Sequence, residues 1–162
     1  MEPSKQHGLT LIEMMVTVAI LAIILMVALP SFQRTMDSRR LIGAADNLLT
    51  SLRYAQGESI KRNVTITVIF TTGSNWSYTI NSDPVITVNG TEYRGTSVAV
   101  TTAGNQFTFD PRRGRLLEAP ANAETLVTLT SALGSTVGLA VDPLSHRRLC
   151  SASGLGGYPA CP

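Results

Sequence analysis

Charge stands in three places in this chain where its position needs a reason. Glu13 lies at the edge of an apolar run, and from Met14 to Phe32 there is no charged residue. An unpaired carboxylate at such a depth costs about 2 to 3 kcal/mol, so it calls for a cation. A new amino terminus at Leu9, one helical turn away, would supply it, within the chain or on a neighbouring copy. Such a pair at ~4 Å and an effective dielectric near 20 is worth roughly 4 kcal/mol before desolvation is subtracted. The other two places are arginine clusters: R-R-G-R, holding Arg112, Arg113 and Arg115, and H-R-R, from His146 through Arg147 to Arg148. Planar guanidinium groups offer bidentate contacts to phosphate, and several in one groove would hold DNA through its backbone. A solvated turn and a salt-bridged tail are the plainer reading of the same residues.

No constellation for catalysis accompanies them. His7 and His146 are the only histidines, which disfavours a His-rich metal site and a Ser-His-Asp triad. There is no phosphate-binding loop, dinucleotide fingerprint or H-E-x-x-H motif, so neither enzymatic activity nor a cofactor is expected. A periplasmic enzyme on a membrane tether would need a cleft of perturbed titratable groups, and the pattern offers none. The net charge of +2 over 162 residues is too small to imply nucleic acid by itself. Every cation after Arg62 is an arginine and six acids balance them, so any positive field must come from clustering.

The elements that must position these residues follow from periodicity. About 20 apolar residues in a helix cross a ~30 Å hydrocarbon core, so the run up to Phe32 predicts one membrane span. Pro30 removes a backbone donor and presses on the carbonyl of Met26, which predicts a kink or local unwinding there, or the exit of the helix from the bilayer. Leu41, Ala45, Leu48, Leu52 and Ala55 recur at spacings of three and four, widened by Ile42 and Leu49. They form the core face of an amphipathic continuation. Lys61 and Arg62 suit its carboxyl end, Asn63 its left-handed cap, and Gly57 weakens its last turns. From Val64 the pattern alternates. Strands are predicted at 64–71, 76–80, 85–88, 97–101, 106–109, 126–130 and 137–141, separated by glycine, asparagine and proline turns. The R-R-G-R cluster falls on such a turn, where Gly114 lets the backbone bend and the guanidinium groups fan outward.

Met1 to Gly8, then L-T-L-I-E and the apolar run, resembles the class III signal of type IV pilins and type II secretion pseudopilins. That resemblance implies cleavage after Gly8 by a prepilin peptidase, methylation of the new amino group at Leu9, where the family usually has phenylalanine, and Glu13 as the assembly glutamate. An ordinary single-span protein with an accidental glutamate is the competing reading. The stretch L-L-T-S-L-R-Y-A-Q-G-E-S-I-K-R-N-V-T-I-T-V (48–68), Trp76 with Tyr78, and F-x-P-x-x-G from Phe109 to Gly114 are similar to the GspH/FimT family of minor pilins and pseudopilins.

The fold implied is α+β and type IV pilin-like, with a long amino-terminal helix packed on an antiparallel sheet pair or partial sandwich. The expected divisions are a leader at 1–8, a transmembrane and assembly helix at 9–32, its amphipathic half at 33–62, and a periplasmic β-rich domain at 63–162. In an exported bacterial chain Cys150 and Cys161 are expected to form a disulfide; a two-cysteine metal site lacks both C-x-x-C spacing and nearby histidines. The partners implied are the peptidase, other pilins or pseudopilins and, before assembly, the inner membrane. Some FimT-like members bind DNA through a basic G-R-x-R-like tail. Aligned on Cys150, this chain matches that tail cleanly at Arg148, with Arg147 shifted by one. The expected function is that of a FimT-like minor pilin acting in pilus assembly, with DNA binding and uptake through the arginine clusters as a role layered on it, or else that of a GspH-like minor pseudopilin of a type II secretion system.

Overall fold

A computed structural model describes residues 10–118, 124–142 and 144–161; Gly8 and Leu9, the expected processing residues, lie outside them. One helix, α1 (Leu11–Arg62), is followed by β1 (Ile66–Thr71), β2 (Ser77–Ile80), β3 (Ile86–Asn89), β4 (Thr96–Val100), β5 (Gln106–Phe109), β6 (Thr125–Ser131), β7 (Thr136–Val141) and β8 (Arg147–Cys150). The chain divides within α1 into two compact units, one ending at Met36 and the other running from Asp37.

In the first unit the apolar side chains of α1 from Leu11 to Leu29 are exposed, and an 18-residue window of the helix has a mean hydropathy of 2.7. It is long and apolar enough to cross a membrane. The helix runs unbroken through Pro30, so the unwinding expected there is not seen.

The second unit is built on the stripe read from the sequence. Leu41, Ala44, Ala45, Leu48, Leu52 and Ala55 are buried in one core with side chains from the strands, as a period near 3.6 requires. The helix ends on a hydrogen-bonded αL cap. Asn63 has φ 53°, its N–H donates to the carbonyl of Ile60, and the Val64 N–H donates to that of Ser59. Those two bonds satisfy carbonyls the helix leaves orphaned.

Among the described residues all strand pairs are antiparallel. They make two four-stranded sheets, ordered β3-β2-β1-β5 and β4-β6-β7-β8. In β1, Ile66, Val68 and Phe70 are buried and alternate with less buried neighbours, the half-buried pattern of a sheet with one face on the core. Phe107 and Phe109 of β5 are fully buried beside it. The first seven strands stand within a residue or two of their expected places.

The eighth strand, β8, was not expected. R-R-L-C opens with two adjacent cations and has no alternating apolar pattern to announce it; its pairing with β7, Ala140 opposite Arg148 and Val141 opposite Arg147, supplies the reason it forms. The disulfide Cys150–Cys161 is present and sits on Gly138 of β7. A Cβ there would lie 2.8 Å from each sulfur, so only glycine leaves the space. Carrying Cys150→Ser and Cys161→Ser together is expected to cost about 3 kcal/mol through the freed loop entropy. Thermal melting against the parent checks it, and an unchanged midpoint would contradict it.

Candidate functional site

Glu13 is held by its own helix start. Thr10 is the N-cap residue, and the Glu13 N–H donates to its Oγ1 at 3.3 Å. In return Glu13 Oε2 accepts from the Thr10 N–H at 3.0 Å and from its hydroxyl at 3.1 Å. This is a capping box, T-x-x-E, in which two donors otherwise orphaned at the helix start are satisfied reciprocally. The carboxylate expected to call for a cation thus also has a neutral partner three residues before it in the chain. Among the described residues Oε1 takes no hydrogen bond, so one carboxylate oxygen is left for another donor.

The segments that carry the two arginine clusters both touch Gln56 of α1 in the second unit. R-R-G-R occupies the turn after β5. There Asp110 N–H donates to the Arg115 carbonyl at 2.8 Å and Gly114 N–H to the Asp110 carbonyl at 2.7 Å, while Phe109 bridges to Leu116. Gly114 has φ +60°, and a Cβ on it would fall 2.7 Å from Ile60 Cδ1 of α1; both conditions select glycine. Arg112, Arg113 and Arg115 point into solvent from this turn.

H-R-R forms the loop end and first half of β8. His146 is exposed, and its Nδ1 lies 2.8 Å from Asp142 Oδ2. Burial disfavours ionisation of Asp142, but the hydrogen bonds from the His146 ring and backbone outweigh it and hold the carboxyl below its usual range. Arg148 is exposed and donates to Glu124 Oε2 at 2.8 Å, a surface pair worth at most about 1 kcal/mol.

Arg147 turns inward. Its guanidinium lies 5.6 Å from the centre of the Phe109 ring, and its Nη2 donates to Gln56 Oε1 of α1. Its Nε is buried with no hydrogen-bond partner among the described residues. Burial pushes the group down to about 10, and the like charge of Arg53 acts in the same direction. It remains a cation at neutral pH, without a carboxylate beside it among the described ion pairs.

Gln56 is the link. While its Oε1 accepts from Arg147, its Nε2 donates to the Gly114 carbonyl at 2.7 Å. One amide on α1 thus touches both arginine-bearing segments, and Arg53, one helical turn before it, is near enough for its like charge to act on Arg147. Among the described residues Arg53, Arg112, Arg113, Arg115 and Arg147 have no ion pair. Neither Gln56 nor Arg53 was singled out in the sequence. No local pattern could have shown them, because their partners lie 58 and 91 residues away for Gln56.

The fold and the clusters acquire a context from known families. Residues 3–29 match the prokaryotic N-terminal methylation motif, and residues 44–145, more than half of the chain, match type II transport protein GspH. The chain belongs to the GspH family. No curated protein and no solved structure matched it. A GspH-family chain with this motif is a minor pilin or pseudopilin, a structural class of fibre component. The motif implies processing by prepilin peptidase and assembly with other pilins, and with the apolar first unit of α1 it describes a membrane-anchored protein. The GspH match spans Gln56, the R-R-G-R cluster and the turn at Gly114, and ends at Ser145, just before H-R-R. The capping box at Thr10 and Glu13 falls within the methylation motif.

Proposed function

We propose that this GspH-family protein is a FimT-like minor pilin that captures DNA, cut after Gly8 and methylated at Leu9, with Glu13 and Pro30 in the assembly helix and the second unit carried outside the cytoplasm. The supporting observation is that the segments carrying R-R-G-R and H-R-R both bond to Gln56, and that among the described residues only His146 and Arg148 of their cations have a carboxylate partner. Arg112, Arg113, Arg115 and Arg148 are the phosphate contacts in this reading, His146 stands at their margin, and Arg147 holds β8 in place from beneath. Contacts of this kind carry affinity but no sequence information, since they reach phosphate and not base edges.

The family match itself favours a second reading, a pseudopilin of a type II secretion system whose partners are other pseudopilins and exported proteins. Mobility shifts with the detergent-solubilised chain and two duplexes of unrelated sequence separate the two. Equal retardation of both is expected at low salt. Absence of any shift disposes of DNA capture and leaves the secretion reading.

A further inference from the structure

We infer that Gln56 is the positioning residue of the basic face, the side chain that makes two arginine clusters act as one. The inference rests on the DNA reading above and deepens it. Gln56 sits on α1 between the turn and β8, half-buried, and divides its amide between them: nitrogen to the Gly114 carbonyl, oxygen to the Arg147 guanidinium. A glutamine suits this place because it offers a donor and an acceptor with no charge. A glutamate would lose the bond to Gly114 and neutralise Arg147. An arginine or lysine would lose the acceptor and add to the repulsion that Arg53 already exerts.

The arrangement also explains why a cation is kept half inside the unit with a buried, unpartnered Nε and a like charge nearby. A site built for stability alone would place a carboxylate or an apolar side chain there. Without Gln56 the R-R-G-R turn keeps its own backbone bonds but loses this tie to α1, and Arg147 loses its one described side-chain hydrogen bond. The exposed arginines of the two segments would then bind phosphates independently and no longer as a single array.

Two variants of the full chain in detergent test this against a duplex of mixed sequence. Gln56→Leu keeps every charge and removes both hydrogen bonds. It is expected to weaken DNA binding about 5-fold or more at ~0.1 M salt and to lower the salt slope by about 1, as when one phosphate fewer is neutralised. Gln56→Glu gives Arg147 a charged partner in place of the link to Gly114, so its melting midpoint should equal or exceed that of the parent while its DNA affinity falls. A residue that merely stabilises the fold moves both in the same direction. A Gln56→Leu variant with the affinity and slope of a DNA-binding parent overturns the role of Gln56 and leaves the DNA reading standing. If Gln56→Leu does not fold, parental affinity in Gln56→Glu overturns it instead. A parent that binds no DNA removes both.

Discussion

Alanine at Arg112, Arg113, Arg115 and Arg148 together is expected to weaken DNA binding about 100-fold or more at ~0.1 M salt, while the protein melts within a few degrees of the parent. Each arginine that neutralises a phosphate releases a counterion. Removing four of them should therefore also flatten the plot of log binding constant against log salt by about 3 to 4 units. Stability is spared because all four side chains are exposed, and only Arg148 has a described ion pair; surface changes of this kind usually stay within about 0.5 kcal/mol each. The matched control is alanine at Arg34, Arg39, Arg40 and Arg94, four exposed cations outside the two clusters. A comparable loss in the control would show that net charge, and not this face, attracts the DNA.

The second large effect lies under the same face. Phe109→Ala is expected to destabilise the second unit by about 3 to 5 kcal/mol, the usual cost of removing a buried aromatic ring. Phe109 is fully buried, ends β5 opposite Ile66 of β1, bridges to Leu116 across the arginine turn and lies beneath the Arg147 guanidinium. Its loss opens the core where both arginine segments are founded. A fall in melting temperature of at least about 10 °C is expected, and Phe109→Leu, which refills much of the volume, should lose far less. A Phe109→Ala protein that melts with the parent would mean that the ring supports neither the core nor the face.

How far the sequence foretold these structures depends on the range of the interaction. The buried stripe from Leu41 to Ala55, the cap at Asn63 and the first seven strands are local patterns, written in spacing and in turn residues, and they were legible. The capping box is equally local, T-x-x-E at residues 10–13, and it gives Glu13 a neutral partner where its place beside the apolar run suggests only a cation. Strand β8 and its edge position are set by β7 as partner, and two adjacent arginines hide it. The inward turn of Arg147 and the two hydrogen bonds of Gln56 join α1, the turn after β5 and β8. Such contacts exist only once the helix and both sheets have come together, so the clusters could be read from the sequence but their union could not.

The salt dependence of DNA binding by the detergent-solubilised chain, followed from about 50 to 300 mM, is the most direct test of that union. Four to five arginines acting on one phosphate backbone should give a linear log–log plot with a slope of about −4, the same for duplexes of unrelated sequence. A slope near zero, or no binding at the lowest salt, would contradict a shared basic face for DNA.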